Sequence, residues 1–199
     1  MLGVVNKSIQ SFLSSHYGGH VWREVAERSN VDPAGFEAML SYDDRLTEAL
    51  LDAAEAVLET PRAMILEDIG AWLAMTEPMR RLLRFGGADY WDFLFSLDEL
   101  PGRGLMALPG LGLPELMLAT EAQGRFTLSV KGAMPGWGAV MAGLMRAMAD
   151  DYGALVLIDA SGRSGPVERV SVTLLDMAFA EARHFDLALP AGVLRHDLA

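Results

Sequence analysis

Apolar residues recur every three or four positions through the first hundred residues, which is the spacing of helices that bury one face. The first predicted helix runs from almost Met1 to Tyr17-Gly18-Gly19, and further helices follow it. Capping residues and prolines mark the predicted helix starts. They predict a short helix after Asp32-Pro33 and longer ones after Ser41 with Asp44, after Thr60-Pro61 and after Thr76-Glu77-Pro78. The last segment of this half places Tyr90, Phe93, Leu94 and Leu97 on one face.

The helical pattern is predicted to end at Pro101-Gly102. Proline lacks a backbone N–H and disfavours a helical conformation for the residue before it. Glycines and prolines then continue to Pro114. The sequence therefore predicts a break at Pro101 and an irregular connection over residues 102–114.

Alternating and β-branched residues dominate after residue 114, and they predict strands. Two strands, 116–120 and 126–130, are joined by a turn at Gln123-Gly124, and a helix over 135–151 follows. A buried strand is predicted over 155–158, a polar loop over 161–166 and another strand over 167–175. The stretch 178–189 is ambiguous between strand and helix.

Together these elements predict one α+β domain over residues 1–199. A helical lobe of about 1–101 packs on an α/β lobe of about 112–189, which has an antiparallel sheet and one helix, and a frayed tail covers 190–199. A ligand cavity is expected between the lobes, since clefts between packed units are common binding sites.

Composition narrows the function. A hydrophobic content of 51% provides a substantial core, and a net charge of −11 with a pI near 4.7 argues against nucleic acid or an anionic membrane surface as partner. There are no cysteines, so disulfides and cysteine ligation of zinc or haem are excluded. The N-terminus lacks the continuous apolar core of a signal peptide, and no run is long enough to insert in a membrane. We therefore expect a cytoplasmic protein.

Candidate chemistry is sparse. His16 and His20 are four apart, a spacing that could hold a metal, but Gly18 and Gly19 between them favour a surface pair at a helix end. The adjacent carboxylates Asp98-Glu99 and Asp150-Asp151 point in different directions on a helix, so we interpret them as solvated. No nucleophile with a base at useful spacing is present. We predict no metal site and no enzymatic activity.

Several segments resemble the H-NOX family, the haem-nitric oxide/oxygen binding domains. The similarity begins at residues 1–10 and includes His16-Tyr17-Gly18 and Trp22. It continues through these further segments: 51–58 with Pro61, 69–72, 96–100 with Arg103, and 143–144.

The resemblance implies a helical lobe and an α/β lobe with haem b between them, in agreement with the periodicity. It also implies gas sensing and signal transduction. Such domains form part of animal soluble guanylate cyclases, or stand alone in bacteria and regulate partner histidine kinases or cyclic-di-GMP enzymes (diguanylate cyclases or phosphodiesterases).

Two parts of the family's haem chemistry are missing from this sequence. Pro101 stands where the family has its proximal histidine, and proline cannot ligate iron. The family's Tyr-x-Ser-x-Arg motif, which binds the haem propionates, is replaced by Val130, Gly132 and Met134 in a gapless alignment. Each lost charge-assisted contact costs about 1.5–3 kcal/mol, so no haem cofactor is expected except by family analogy. By resemblance, the pocket positions are Val5, Trp72, Pro101, Pro114, Val130 and Met134.

Two hypotheses follow. The first is an H-NOX-fold sensor or signalling module that has lost canonical haem-based sensing of NO or O2, with its cavity filled by side chains or occupied by another apolar ligand. The second is a gas sensor that binds haem non-canonically, through another histidine or a methionine or without a protein ligand, and regulates a partner kinase or cyclic-di-GMP enzyme.

Overall fold

Helices build the first half of the chain, and a four-stranded antiparallel sheet with one helix builds the second. The computed structural model describes residues 1–107 and 109–176. Its helices are α1 Gly3–His16, α2 Gly19–Arg28, α3 Asp44–Leu58, α4 Arg62–Met75, α5 Glu77–Arg84, α6 Tyr90–Phe95, a 3-10 turn Ser96–Glu99, α7 Leu100–Ala107 and α8 Trp137–Tyr152. Its strands are β1 Glu115–Ala122, β2 Arg125–Lys131, β3 Leu155–Ser164 and β4 Val167–Asp176. The predicted α+β class is confirmed.

The sheet has the order β1-β2-β4-β3 and is antiparallel throughout. Phe126, Leu128 and Val130 of β2 are buried, whereas the residues between them are more exposed, so one face of the sheet is covered. Helix α8 covers that face, and it buries Met141, Met145 and other residues there. The alternation seen in the sequence is therefore the alternation between the covered face and the outer one.

Two hydrophobic cores meet at the contact between α4 and α8. The first core is formed by the four helices α1, α2, α3 and α4. The second core is formed by the sheet and α8 together with α5, α6 and the 3-10 turn. Gly70 of α4 and Gly143 of α8 are buried at the crossing. The residues before Pro101 thus contribute to both cores.

The segment after Asp32-Pro33 is a turn, and the helix predicted there was wrong. The Asp32 carboxylate accepts a hydrogen bond from the Ala34 N–H at 2.8 Å, which stabilises a turn. Gly35 then has φ +91°, a conformation that ends helical geometry.

The start of α3 also differs from the prediction. Asp43, and not Ser41, is the N-cap, and its side chain accepts a hydrogen bond from the Arg45 N–H at 2.9 Å. Thr60 does not cap α4 either, because its hydroxyl donates to the Leu58 carbonyl and the helix begins after Pro61.

Replacing the observed cap tests this assignment. Asp43→Ala is expected to lower the free energy of unfolding by about 1 kcal/mol, since it removes an acceptor for a free N–H of the first turn. Ser41→Ala is the matched control and should change stability by less than about 0.5 kcal/mol. Urea unfolding of both variants measures the difference, and equal losses would contradict the Asp43 cap.

Pro101 does not end the helical part of the chain, contrary to the prediction. Leu100 before it has helical dihedrals, φ −56° and ψ −42°, and α7 continues to Ala107. Proline is tolerated here because it lies in the first turn of α7, where a backbone N–H has no partner within the helix. The irregular connection is therefore shorter than predicted and covers 109–114 among the described residues.

The predictions for β3 need two corrections. Residues 161–164, predicted as a loop, belong to the strand, and the turn lies at Gly165-Pro166. The segment 155–158 is not a buried strand, because β3 is at the sheet edge and Leu155 and Leu157 on its outer face are 57% and 60% exposed. The predictions for 178–189 and for the tail from Pro190 lie outside the described residues.

Candidate functional site

A cavity of about 210 Å³ lies where the helices of the first half meet β1 and α8. Its wall is almost entirely aliphatic. The helices contribute Val4, Val5, Ser8, Ile9, Thr47, Leu51, Leu66, Ile69, Leu73, Met79, Leu82, Leu100, Pro101 and Gly104. Met1, Leu111, Leu113, Pro114, Leu116, residues 134–136, Trp137, Val140, Met141 and Leu144 complete the wall.

Local structure explains why these side chains converge. Leu66, Ile69 and Leu73 recur at helical spacing on α4, so they present one face to the cavity. Leu116 of β1 lies on the covered side of the sheet, next to Val130 of β2. Because α7 is helical, Pro101 and Gly104 lie one turn apart on the same wall.

The wall has few polar side chains, and their hydroxyl groups already donate hydrogen bonds within the protein. The Ser8 hydroxyl donates to the Val4 carbonyl at 2.8 Å, and the Thr47 hydroxyl donates to the Asn6 side-chain oxygen at 2.7 Å. Asn6 is fully buried. The wall therefore offers a ligand mainly dispersion contacts and apolar burial.

Four of the six predicted pocket residues line this cavity. They are Val5, Pro101, Pro114 and Met134. Trp72 lies on another face of α4, where its ring packs edge-on against that of Phe12, with 6.1 Å between the two ring centroids. Val130 is 1% exposed and is buried in the second core, because it points from β2 toward the elements that cover the sheet.

The wall does not provide the donors that haem usually needs. Among the described residues that line the cavity there is no histidine, tyrosine, lysine or arginine. Iron would thus find no imidazole among these residues, and the ammonium of the wall residue Met1 is already paired with the Asp44 carboxylate. Thioether sulfurs, which can ligate haem iron, are present on Met79, Met134 and Met141.

Glu168 of β4 binds the N–H groups at the N-terminus of α8, and two residues of that end, Gly136 and Trp137, line the cavity. The Glu168 carboxylate accepts hydrogen bonds from the Gly136 N–H and the Gly138 N–H, both at 2.7 Å. A helix N-terminus attracts anions because its N–H groups lack partners and its dipole end is positive. Here an internal carboxylate already satisfies these groups.

A second polar cluster joins α5 to the end of α8. Asp151 is 8% exposed at its side chain and accepts from Arg80 at 2.6 Å and from Arg84 at 2.6 Å. Arg84 also donates to the Asp151 carbonyl at 2.7 Å and lies 4.0 Å from the centre of the Tyr152 ring. Burial by itself would raise the pKa of Asp151, but the hydrogen bonds and charges of Arg80 and Arg84 lower it.

The interpretation of Asp150-Asp151 as a solvated pair was therefore wrong for Asp151, although Asp150 is exposed. Asp98 has a structural role too, because its carboxylate accepts from the Leu118 N–H at 2.7 Å. His16 and His20 are exposed, and residues 1–107 and 109–176 contain no group of three or more His, Cys, Asp or Glu suited to a metal ion.

Sequence reasoning missed Glu168 and the role of Asp151. Both contact residues far away in the sequence, since Glu168 lies 30 and 32 residues from its partners and Asp151 lies 71 from Arg80. One signal was available for Glu168: it is a charged residue next to the start of a strand whose apolar alternation begins at Val170. That signal indicates an unusual position but not the partner.

The comparisons with known proteins agree on one family. A family model described as Haem-NO-binding (HNOB) matches residues 2–159. Two Caenorhabditis elegans proteins, the soluble guanylate cyclases gcy-32 and gcy-34, are 30% and 31% identical to the chain over 105 residues, which is 50% of this chain. The chain spans only 15% of the length of these curated relatives.

Solved structures show the same fold. An H-NOX protein from S. oneidensis in the Fe(II)NO ligation state has a TM-score of 0.74 at 14% identity, with 88% of this chain and 100% of that one covered. An Fe(II) unliganded H-NOX protein from K. algicida has a TM-score of 0.74 at 13% identity, with 88% and 97% covered. Within the described residues, no helix combines the length and apolarity needed to cross a bilayer. Because the family model covers most of its 199 residues, the chain belongs to the Haem-NO-binding (HNOB, or H-NOX) family, whose domains are sensor modules related to those of soluble guanylate cyclases.

Proposed function

We propose that this H-NOX domain is a sensor or signalling module whose cavity binds a small apolar ligand other than haem. The observation that carries the proposal is the cavity wall: it is almost entirely apolar, and its described residues include Pro101 but no imidazole and no cationic side chain. The fold of the family is retained, whereas the groups that would hold haem are not on the wall.

The size of the cavity supports a small ligand. A dry cavity of about 150 Å³ with apolar walls can bind benzene, and this one has about 210 Å³. Haem is far larger than a single aromatic ring and would require the walls to separate. A molecule with one ring or a short hydrocarbon chain fits without that change.

The proposal extends to the way the signal leaves the domain. The cavity contacts α1, α4, α7, β1 and α8, so a ligand that fills it touches elements of both hydrophobic cores. Differential binding to two arrangements of these elements would shift their populations. By family analogy, the receiver is a histidine kinase or a diguanylate cyclase or phosphodiesterase, and the domain itself performs no catalysis.

Hemin titration and native mass spectrometry test the choice of ligand. We expect no stoichiometric Soret band when hemin is added to the protein, and a retained small molecule or a bound neutral aromatic probe in native spectra. A tight one-to-one haem complex in the wild-type protein would contradict the proposal.

A variant that fills the cavity provides the second arm. Leu116→Trp places a larger side chain in the wall and is expected to weaken probe binding at least tenfold, because it removes the space for the ligand. Met117→Trp is the matched control: Met117 is the next residue of β1, is 67% exposed and faces the other way. Isothermal titration of both folded variants measures the effect, and equal weakening would place the ligand elsewhere.

The alternative function is a gas sensor that binds haem through a methionine. The thioethers of Met79, Met134 and Met141 on the wall favour it. It requires a Soret band that disappears in one of the variants Met79→Leu, Met134→Leu or Met141→Leu. A band unaffected by all three would leave this alternative without its ligand.

A further inference from the structure

A groove formed by α1, α4 and α8 lies apart from the apolar cavity, and the two share no lining residue among those described. We infer that this groove binds a small organic ammonium cation. Its volume is about 820 Å³, which is in the range of small-molecule sites. Four of its lining residues carry aromatic rings, namely Phe12, His16, Tyr17 and Trp72, and we call it the aromatic groove.

Three helices form the aromatic groove because each turns one face toward it. Asp68, Trp72 and Met75 recur at helical spacing on α4 and line the groove together. The last turns of all three helices contribute lining residues: His16 from α1, Met75 from α4 and Asp150 from α8. The C-terminal end of a helix carries partial negative charge and stabilises cations near its last turn.

The four rings are arranged around Phe12, which is 1% exposed and forms the floor. The rings of Tyr17 and Trp72 pack edge-on against it, with 5.9 and 6.1 Å between ring centroids, and that of His16 lies at 4.8 Å. Tyr17 and His16 are exposed and Trp72 is half-buried, so these rings can contact a ligand. The face of an aromatic ring is electron-rich and attracts a cation within about 6 Å of its centroid.

Carboxylates supply the second attraction. Asp68 and Asp150 line the aromatic groove, are exposed and form no ion pair among the described residues. The remaining carboxylates on its lining are paired, Glu67 with Arg146 and Asp151 with the two arginines of α5. A cation is therefore attracted by Asp68 and Asp150, whereas an anion would be repelled by them.

Rings combined with carboxylates favour an organic cation over a metal ion. A metal ion needs several ligating atoms in one cluster, and the chain as described over 1–107 and 109–176 has no such group of His, Cys, Asp or Glu. An alkylated ammonium instead presents its methyl groups to the rings of Tyr17 and Trp72, and its charge to Asp68 and Asp150.

A matched pair of probes tests the need for charge. Choline and 3,3-dimethylbutan-1-ol have nearly the same shape, but a carbon atom replaces the quaternary nitrogen in the alcohol. In NMR titrations of the isotope-labelled full chain, choline is expected to shift the indole N–H signal of Trp72 and the amide signals of Ala71 and Gly143, which line the groove. The alcohol should bind there at least about tenfold more weakly, because it has no charge for the rings to attract.

Removal of the two unpaired carboxylates provides the second arm. The double variant Asp68→Asn with Asp150→Asn is expected to weaken choline binding at least about fivefold. Both residues are exposed, so the fold should be retained. Glu27→Gln with Glu99→Gln is the matched control, since it removes the same charge from two exposed residues that do not line the groove. It should change the affinity by less than about twofold, because charges at a distance are screened.

A third variant tests the rings. Trp72→Leu removes the largest ring and is expected to weaken choline binding at least about fivefold, followed at the amide signals of Ala71 and Gly143. If this variant does not fold, Tyr17→Leu serves instead, because Tyr17 is exposed at the end of α1.

The inference is overturned if choline shifts none of these signals, if the two probes bind there equally well, or if the control variant loses as much affinity as the double asparagine variant. Choline binding that depends on charge, on Asp68 with Asp150 and on the ring would support it. None of these outcomes bears on the proposed function, because the apolar cavity is a different site.

Discussion

Replacing Asp151 by asparagine is expected to lower the free energy of unfolding by about 3 kcal/mol. The Asp151 side chain is 8% exposed and receives hydrogen bonds from two guanidinium groups, Arg80 and Arg84. The substitution removes the negative charge and leaves both half-buried cations without it. Breaking a buried pair by removing one partner is costly because the remaining charge is uncompensated. Urea unfolding at pH 7 measures the loss.

The same ion pairs make the free energy of unfolding depend on pH, and their contribution decreases in acid. Because the pKa of Asp151 is lowered in the folded protein, its contribution is complete above the unfolded value of about 3.9 and is lost as the pH falls through the folded value. The difference in stability between wild type and Asp151→Asn should therefore be constant from about pH 7 to 5 and narrow below about pH 4.

Asp150→Asn is the matched control for this prediction. Asp150 is the preceding residue of α8, is exposed, and forms no ion pair among the described residues. Its replacement should change the free energy of unfolding by less than about 0.5 kcal/mol at any of these pH values. Similar losses in the two variants would show that the cluster of Asp151 with Arg80 and Arg84 does not stabilise the fold.

Replacing Gly143 by alanine is expected to destabilise the protein by about 2–3 kcal/mol, although alanine is normally the better helix former. An added Cβ would lie 1.8 Å from the Glu67 carbonyl oxygen of α4. A backbone atom cannot rotate away as a side chain can, so the two helices would have to separate. Gly70→Ala should behave alike, because its Cβ would lie 2.0 Å from the Val140 carbonyl oxygen of α8.

Gly102→Ala is the comparison variant, and it is expected to stabilise the protein. Gly102 is an exposed residue within α7, and a Cβ added there would meet no atom within 4 Å. Its replacement should raise the free energy of unfolding by about 0.5–1 kcal/mol, through helix propensity alone. Thermal or urea unfolding of the three variants compares them, and a stabilised Gly143→Ala would mean that α4 and α8 do not approach so closely.

Much of the fold could be predicted from the sequence, because helix and strand periods are local. The stripe of Leu2, Val5, Ile9 and Phe12 predicted α1, and the alternation from Phe126 to Val130 predicted β2 with its covered face. Two of the exceptions arose from interactions between residues close together in the chain. Asp32 with Gly35 formed a turn where a helix was predicted, and Pro101 was accommodated in the first turn of α7.

Less of the candidate site could be predicted. The resemblance identified Val5, Pro101, Pro114 and Met134 as pocket positions, and all four line the cavity. It also named Trp72 and Val130, which lie elsewhere. For Trp72, the rotation of α4 against α1 and α8 decides which face meets the cavity, and that rotation is not encoded in the spacing of α4 alone.

The sequence by itself determined most of the helices and strands and the absence of cysteine chemistry, since each depends on residue type or on neighbours within a few positions. Only the tertiary structure decided that Gly70 and Gly143 lie where α4 and α8 approach closely, that Asp151 is a largely buried anion and that Glu168 binds the N–H groups at the start of α8. Each of these depends on atoms that are tens of residues apart in the chain and come within about 3 Å only when the helices and strands that carry them are packed together.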